Sequence, residues 1–196
     1  IRPVSSLGEC QELKSKGYIG AAERGGKKVG GFNLGNSPFS FMNPDLEGKK
    51  IAMTTTNGTL ALKKSIGALQ VVIGSFLNYS ALLTYLERLP CDLLLHCAGW
   101  KGKVNLEDTL FAGAIVHGLK QAFAHESDVP LMAANLYKQH KTNLKSGLAT
   151  SSHYNRLMGM DLEKDIDYCL KFDECKVIPV LKGNYITKMK LDDMLF

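Results

Sequence analysis

Lys50-Ile51-Ala52-Met53-Thr54-Thr55-Thr56-Asn57-Gly58-Thr59-Leu60-Ala61-Leu62-Lys63-Lys64 is the stretch on which the reading of this chain turns. Ile51–Thr54 is strand-like, Thr59–Ile66 is helix-like, and four hydroxyls with one carboxamide crowd the turn between them around Gly58. In an α/β protein such a turn presents the unsatisfied N–H groups and the positive dipole end of a helix. Both favour an anion, and hydroxyls add donors. A generic polar turn has the same composition, and Asn57-Gly58 is a hairpin signal in other settings. The helix-like run that follows argues against a hairpin.

Working outward, Ile1-Arg2-Pro3-Val4 reads as the tail of a strand. Ser6-Leu7-Gly8-Glu9 forms a capping box, with Leu7, Cys10 and Leu13 as one helical stripe and Gly17 as the stop. Tyr18–Glu23 is a strand, and a glycine-rich loop runs from Arg24 to Asn36. Downstream, Val71–Gly74 is predicted as strand and Tyr79–Leu89 as helix, with Leu82, Leu83 and Leu86 inward. Asp92–Cys97 is nearly unbroken apolar sequence, as in a strand covered on both faces. Leu106–Ala124 is predicted as one long helix. Further helices are expected over Leu131–Leu148, Ser152–Leu157 and Glu163–Phe172, with Asp161 as a cap for the last. The chain closes on a strand, Val177–Leu181, and a hairpin-like turn at Lys182-Gly183-Asn184. Strand–helix alternation of this kind predicts an α/β fold, three-layer α/β/α with a mostly parallel sheet, in a single domain over residues 1–196.

At 196 residues, 45% hydrophobic and 22% charged, the chain has the composition of a globular enzyme with a sizeable core. No apolar run approaches the roughly 20 residues that span a bilayer, which argues against a membrane partner. The 24 basic residues give a net charge of +5 but are scattered, which argues against nucleic acid and suits a small anionic ligand. Five cysteines without a CxxC pair indicate neither structural zinc nor a disulfide framework, and a cytoplasmic location is expected. A homo-oligomer is compatible with this composition.

If the sheet is parallel, crossovers gather the strand C-terminal ends on one edge, where ligands bind in open sheets. Those ends would be Glu23-Arg24-Gly25-Gly26, Thr54 to Thr59, Gly74-Ser75-Phe76-Leu77-Asn78 and Cys97-Ala98-Gly99, expected to share one pocket. Each has a plainer reading. Asn36-Ser37-Pro38 suits an Asx or type I turn, and Ser75 and Asn78 suit helix caps. Glu107 and Asp108 are natural Mg²⁺ ligands, yet acids in a first helical turn behind an Asn105 cap follow from the dipole alone. Cys97 reads as a small buried hydrophobe, since His96 would point to the opposite strand face. His117, His125, His140 and His153 have no metal-ligand spacing, Lys101 and Lys103 sit in a glycine-bearing loop, and Trp100 is placed to line a pocket mouth. No GxGxxG follows a strand, which argues against a nucleotide-dependent oxidoreductase.

Taken together, Ala22-Glu23-Arg24-Gly25-Gly26, Gly31-Phe32-Asn33-Leu34-Gly35-Asn36-Ser37-Pro38, the Thr54–Thr59 turn, Gly74–Asn78, Cys97-Ala98-Gly99 and Leu106-Glu107-Asp108 running into Ala112-Gly113 resemble the 2-phosphosulfolactate phosphatase family. Ser151-Ser152-His153, Asp165 to Cys169 and Val177-Ile178-Pro179-Val180 extend the resemblance over nearly the whole chain. Family members also carry an upstream strand ending in an Asp-Val-x-Arg-Ala-Thr type motif. That motif is not in this sequence, so the expectation is of a family domain lacking its N-terminal strand and helix. The resemblance implies a Mg²⁺-dependent phosphatase that converts 2-phosphosulfolactate to sulfolactate and inorganic phosphate, a step toward coenzyme M in methanogens. It implies catalytic Glu23, Arg24, Glu107 and Asp108, with Glu23, Glu107 and Asp108 as metal ligands or a general base. Substrate contacts would come from Asn36, Ser37, Thr54, Thr55, Thr56, Asn57, Gly58, Thr59, Ser75, Asn78 and Cys97. A non-catalytic binding module for an anionic metabolite, and a hydrolase with Cys97 as nucleophile, are the two alternatives.

Overall fold

The computed structural model describes residues 1–119 and 122–195. They divide into two compact units, one of Ile1–Val72 with Pro179–Lys188, the other of Ile73–Ile178 with the residues from Met189 onward.

The first unit holds the sheet. Strands β1 (Arg2–Pro3), β2 (Ile19–Arg24), β3 (Lys27–Lys28) and β4 (Ile51–Thr54) lie in the order β1-β4-β2-β3. β4 runs parallel to both β1 and β2, with Ile19 opposite Ile51 and Ala22 opposite Thr54. Only the short β3 is antiparallel, so the expected α/β fold with a mostly parallel sheet is what forms. Helix α1 (Leu7–Ser15) begins at the capping box the sequence announced: Glu9 N–H donates to Ser6 Oγ at 3.1 Å, and Ser6 N–H donates back to the Glu9 carboxylate at 3.2 Å. Its Cys10 and Leu13 pack with Val4 and Ala52, and the Cys10 thiol lies 3.3 Å from the Ala52 carbonyl. Helix α2 (Gly58–Lys64) follows β4 directly. β5 (Pro179–Lys182) and β6 (Tyr185–Lys188) form a separate antiparallel hairpin across the expected turn, where Gly183 takes a positive φ of 55°.

The loop expected from Arg24 to Asn36 opens as a hairpin. Arg24 pairs with Lys27 across Gly25-Gly26, and φ of 63° and 80° gives the two-residue turn whose twist matches the flanking strands. Two successive left-handed residues favour glycine, which has no Cβ to clash there.

The second unit is helical: α3 (Tyr79–Leu86), α4 (Leu106–Gly118), α5 (Asp128–His140), α6 (Leu144–Leu148), α7 (Ser152–Met158) and α8 (Glu163–Cys169). Its core joins Phe76, Leu110, Ala114, Tyr137, Leu144 and Leu148, with Leu82 and Leu86 of α3 also buried as expected. Lys120 and Gln121, within the tail of the expected long helix, lie outside the described residues. The single helix expected over Leu131–Leu148 is two, because Asn143 breaks the run and accepts from Ser146 N–H as a cap. Helix α8 is capped at Leu162 rather than Asp161, which instead adopts the left-handed region at φ 58°.

Two expected strands do not form. Asp92–Cys97 carries no ladder among the described residues, and Leu94 is 85% exposed rather than covered on both faces. Val71–Gly74 contributes only an antiparallel bridge from Val72 to Val180. An apolar run has β composition by itself, but a strand needs a hydrogen-bonding partner, which local sequence does not specify.

α4 and α5 make the closest helix contact of the second unit. A Cβ built on Gly113 would stand 2.0 Å from the Ala133 carbonyl oxygen, a backbone atom with nowhere to go. Gly113→Ala is therefore expected to force the helices apart and cost about 3 kcal/mol of unfolding free energy. Chemical denaturation reads this directly, and a loss below about 0.5 kcal/mol would contradict the close approach.

Candidate functional site

In the first unit the parallel sheet delivers three predicted segments to one edge. β2 ends at Glu23-Arg24, and β4 ends at Thr54. The segment around Leu34 bridges Ala21 in parallel, and its Leu34 carbonyl accepts from Ala22 N–H at 3.0 Å, so Asn36 and Ser37 emerge on the same side. Arg24 is anchored there. Its Nη1 donates to the Glu23 carbonyl at 2.6 Å and its Nη2 to Thr54 Oγ1 at 3.1 Å. Thr54 is fully buried, so this is a fixed post for the guanidinium. The Glu23 carboxylate accepts from Gly26 N–H and so braces the turn behind Arg24. Beyond Thr54, Thr59 N–H donates to Thr55 Oγ1 at 3.3 Å, and Thr59 Oγ1 donates to the Thr55 carbonyl at 2.9 Å. Asn57 stands at the cap position of α2 without a side-chain cap bond, Gly58 opens that helix, and Thr56 is exposed. Asn36 is exposed, and Ser37 precedes a short 3-10 turn, Pro38–Phe41, which it does not cap. The edge can hold an anion: one oriented arginine, hydroxyls and a carboxamide, with no carboxylate beyond Glu23 among the segments named.

In the second unit Glu107 and Asp108 occupy the first turn of α4, behind the Asn105 cap, whose Oδ1 accepts from Glu107 N–H at 3.4 Å. Partial burial first, and then the Asp108 charge, push Glu107 up to about 7, against the opposing effect of the Asn105 side chain. Partial burial also raises Asp108, opposed by the Gly99 N–H and by His153. Gly99 N–H donates to Asp108 Oδ2 at 2.7 Å, and His153 Nε2 lies 3.6 Å from Glu107 Oε1. Sequence spacing missed His153. It sits on α7, and only tertiary folding brings it against α4. Cys97 lies nearby and is exposed, not the buried hydrophobe expected, because the strand expected to bury it does not form. Desolvation of the sulfur and then the Asp108 charge raise its thiol, the opposite of what a thiolate nucleophile requires.

Asn78 is buried and fully engaged. Its Oδ1 accepts from Ser75 N–H at 2.9 Å, while Nδ2 donates to the Ile73 carbonyl at 3.2 Å and the Val177 carbonyl at 2.9 Å. Ser75 Oγ reaches the same Oδ1 at 3.4 Å. These contacts fix the start of α3.

Because Glu107 binds a proton more tightly folded than unfolded, its contribution is favourable below its unfolded pKa and is lost as pH rises through about 7. With the side chain 41% exposed, screening leaves about 1 kcal/mol of that effect. Glu107→Gln is expected to match the parent near pH 4 and exceed its stability by about 1 kcal/mol at pH 8 in the presence of EDTA. Denaturant midpoints at the two pH values check this; equal differences at both would show that the Glu107 carboxyl titrates normally.

A family model described as 2-phosphosulpholactate phosphatase matches residues 1–184. A protein of Thermotoga maritima, named probable 2-phosphosulfolactate phosphatase, is 39% identical over 190 residues, 96% of this chain and 82% of the relative. One of Caldanaerobacter subterraneus subsp. tengcongensis, with the same name, is 38% identical over 191 residues, 95% of this chain and 79% of the relative. A third, of Clostridium beijerinckii and again of that name, is 32% identical over 93% of this chain and 77% of its own length. A match of this extent makes this chain a member of the 2-phosphosulfolactate phosphatase family.

Proposed function

We propose that this chain is a phosphoric monoester hydrolase that converts 2-phosphosulfolactate, or a similar small phosphorylated acid, to the free hydroxy acid and inorganic phosphate. The family match over residues 1–184 is the observation that carries the reaction type. In the net reaction water adds to phosphorus and the ester P–O bond breaks. Its electron pair leaves with the lactate oxygen, which takes a proton from the water.

The Arg24 edge is assigned to the anionic groups of the substrate. A guanidinium oriented by Thr54 Oγ1 and the Glu23 carbonyl keeps N–H donors for a planar carboxylate, sulfonate or phosphate. Thr55, Thr56, Asn57 and Thr59, with Asn36 and Ser37, add neutral donors on the same edge. A substrate bearing phosphate, sulfonate and carboxylate needs that many; a neutral sugar does not.

Glu107 and Asp108 are assigned to Mg²⁺. Among the described residues no three His, Cys, Asp or Glu side chains cluster as a complete metal cage. Mg²⁺ does not need one. It takes one or two protein carboxylates and completes its shell with water and substrate phosphate oxygens, whereas zinc wants three or four protein ligands. Two adjacent, partly buried carboxylates that both resist ionisation fit this demand, since a divalent cation would relieve their desolvation and mutual repulsion. When bound, Mg²⁺ would neutralise charge on the phosphoryl oxygens. Asp108, tied to Gly99 N–H, and Glu107, faced by His153 Nε2, hold their oxygens in place for it. All five cysteines are free, which fits a reducing compartment, the cytoplasm.

Phosphate release from racemic 2-phosphosulfolactate, with Mg²⁺ and with EDTA, tests the reading. Release that EDTA abolishes is the expected result. Tight substrate binding without release would make the chain a binding module, and release indifferent to EDTA would remove the metal. Arg24→Lys tests the anion edge separately. Loss of paired charge-assisted bonds is expected to raise KM about tenfold or more with no change in melting temperature.

A further inference from the structure

Residues 99–103 form a tight turn. Trp100 and Lys103 exchange backbone hydrogen bonds of 3.0 and 3.1 Å, with Lys101 and Gly102 at φ of 53° and 71°. A lysine in the left-handed region is uncommon, which marks the turn as held by its surroundings. The turn reaches both carboxylates of α4 by independent routes. Gly99 N–H donates to Asp108 Oδ2 at 2.7 Å. The Trp100 ring lies 5.0 Å from the His153 ring at an interplanar angle of 33°, and His153 Nε2 faces Glu107 Oε1 at 3.6 Å. Arg156, one turn after His153 on α7, places its guanidinium 5.6 Å from the centre of the same indole, and Lys101 caps it at 4.7 Å. The contacts close a ring: Asp108, Gly99, Trp100, His153, Glu107 and back to Asp108.

We infer that Trp100 is a positioning residue for the carboxylate pair, holding His153 against Glu107 while the adjacent Gly99 N–H holds Asp108. The inference rests on the proposed hydrolase reading for its kinetic consequence, but not for its structural one. Trp100 is the only tryptophan, so its fluorescence reports this contact without interference. A planar indole stacked on imidazole and flanked by two cations fixes a ring plane that an aliphatic side chain cannot. Displacing a reacting or ligating group by about 1 Å typically costs on the order of a hundredfold in rate, with little effect on substrate contacts elsewhere.

The experiment has a kinetic and a spectroscopic arm. In phosphate release from 2-phosphosulfolactate, Trp100→Ala and His153→Ala are expected to lower kcat by about 10- to 100-fold while KM stays within about threefold. Trp100→Phe, which keeps a flat ring, is expected to recover most of that loss. A kcat for Trp100→Ala within about twofold of the parent, or Trp100→Phe no better than Trp100→Ala, overturns the inference. In the second arm, without substrate or metal, His153→Ala and Glu107→Gln are expected to shift Trp100 emission, the former more strongly. Emission unchanged in both variants overturns the clamp whatever the kinetics. Should the parent release no phosphate, the substrate reading fails, and the emission of these two variants still decides the clamp. Circular dichroism and melting temperature confirm that each variant is folded.

Discussion

Helix α4 can sit where it does because Gly113 lets it lie against the α5 backbone. With no side chain at that point, the Ala133 carbonyl oxygen occupies the space a Cβ would need. Leu110 and Ala114 then enter the core shared with Tyr137, Leu144 and Leu148. The same approach places the first turn of α4, one to two turns upstream, at a fixed depth. Glu107 and Asp108 are neither solvated nor sealed off, and their chemistry follows from that depth rather than from their identity as acids.

Two physical readings compete for these carboxylates, and the direction of their shifts separates them. An acid retained in a first helical turn for the dipole should be stabilised as the anion, with its pKa at or below the ordinary value. Glu107 moves the other way, to about 7, because desolvation and the neighbouring Asp108 charge outweigh the Asn105 side chain. The cap geometry is still present, so the plainer reading describes the local fold correctly. It leaves unexplained why two such groups are kept half-buried together.

What the sequence disclosed divides along the same line between local and non-local causes. Ile51–Thr54 is a strand with the bounds its pattern implied, and the Ser6–Glu9 box and the Lys182–Asn184 turn also formed as read, since each depends on neighbouring residues. The two-residue turns at Gly25-Gly26 and Lys101-Gly102 were legible in principle, as glycine pairs and X-Gly steps that allow successive positive φ, but glycine-rich composition had suggested loops. The apolar run of Asp92–Cys97 misled, because its composition is that of a strand while strand formation requires a partner. His153 was invisible for the same reason in reverse. Nothing in its spacing distinguishes it from His140, and only the packing of α7 puts it beside Glu107.

The titratable groups around α4 share one tendency. Glu107 and Asp108 are raised, Cys97 is raised by partial burial and by Asp108, and Cys169 by partial burial, then Asp165 and Glu107. Every one of these groups resists becoming an anion. A thiol hydrolase needs the opposite field, with a cation or a helix N-terminus drawing the proton off sulfur, so the Cys97 alternative loses its physical basis at the point where it needs it most. A phosphate dianion brought against two carboxylates meets like charge unless positive charge arrives with or before it. That is the argument for pairing these carboxylates with a divalent cation rather than asking either to act alone on the substrate.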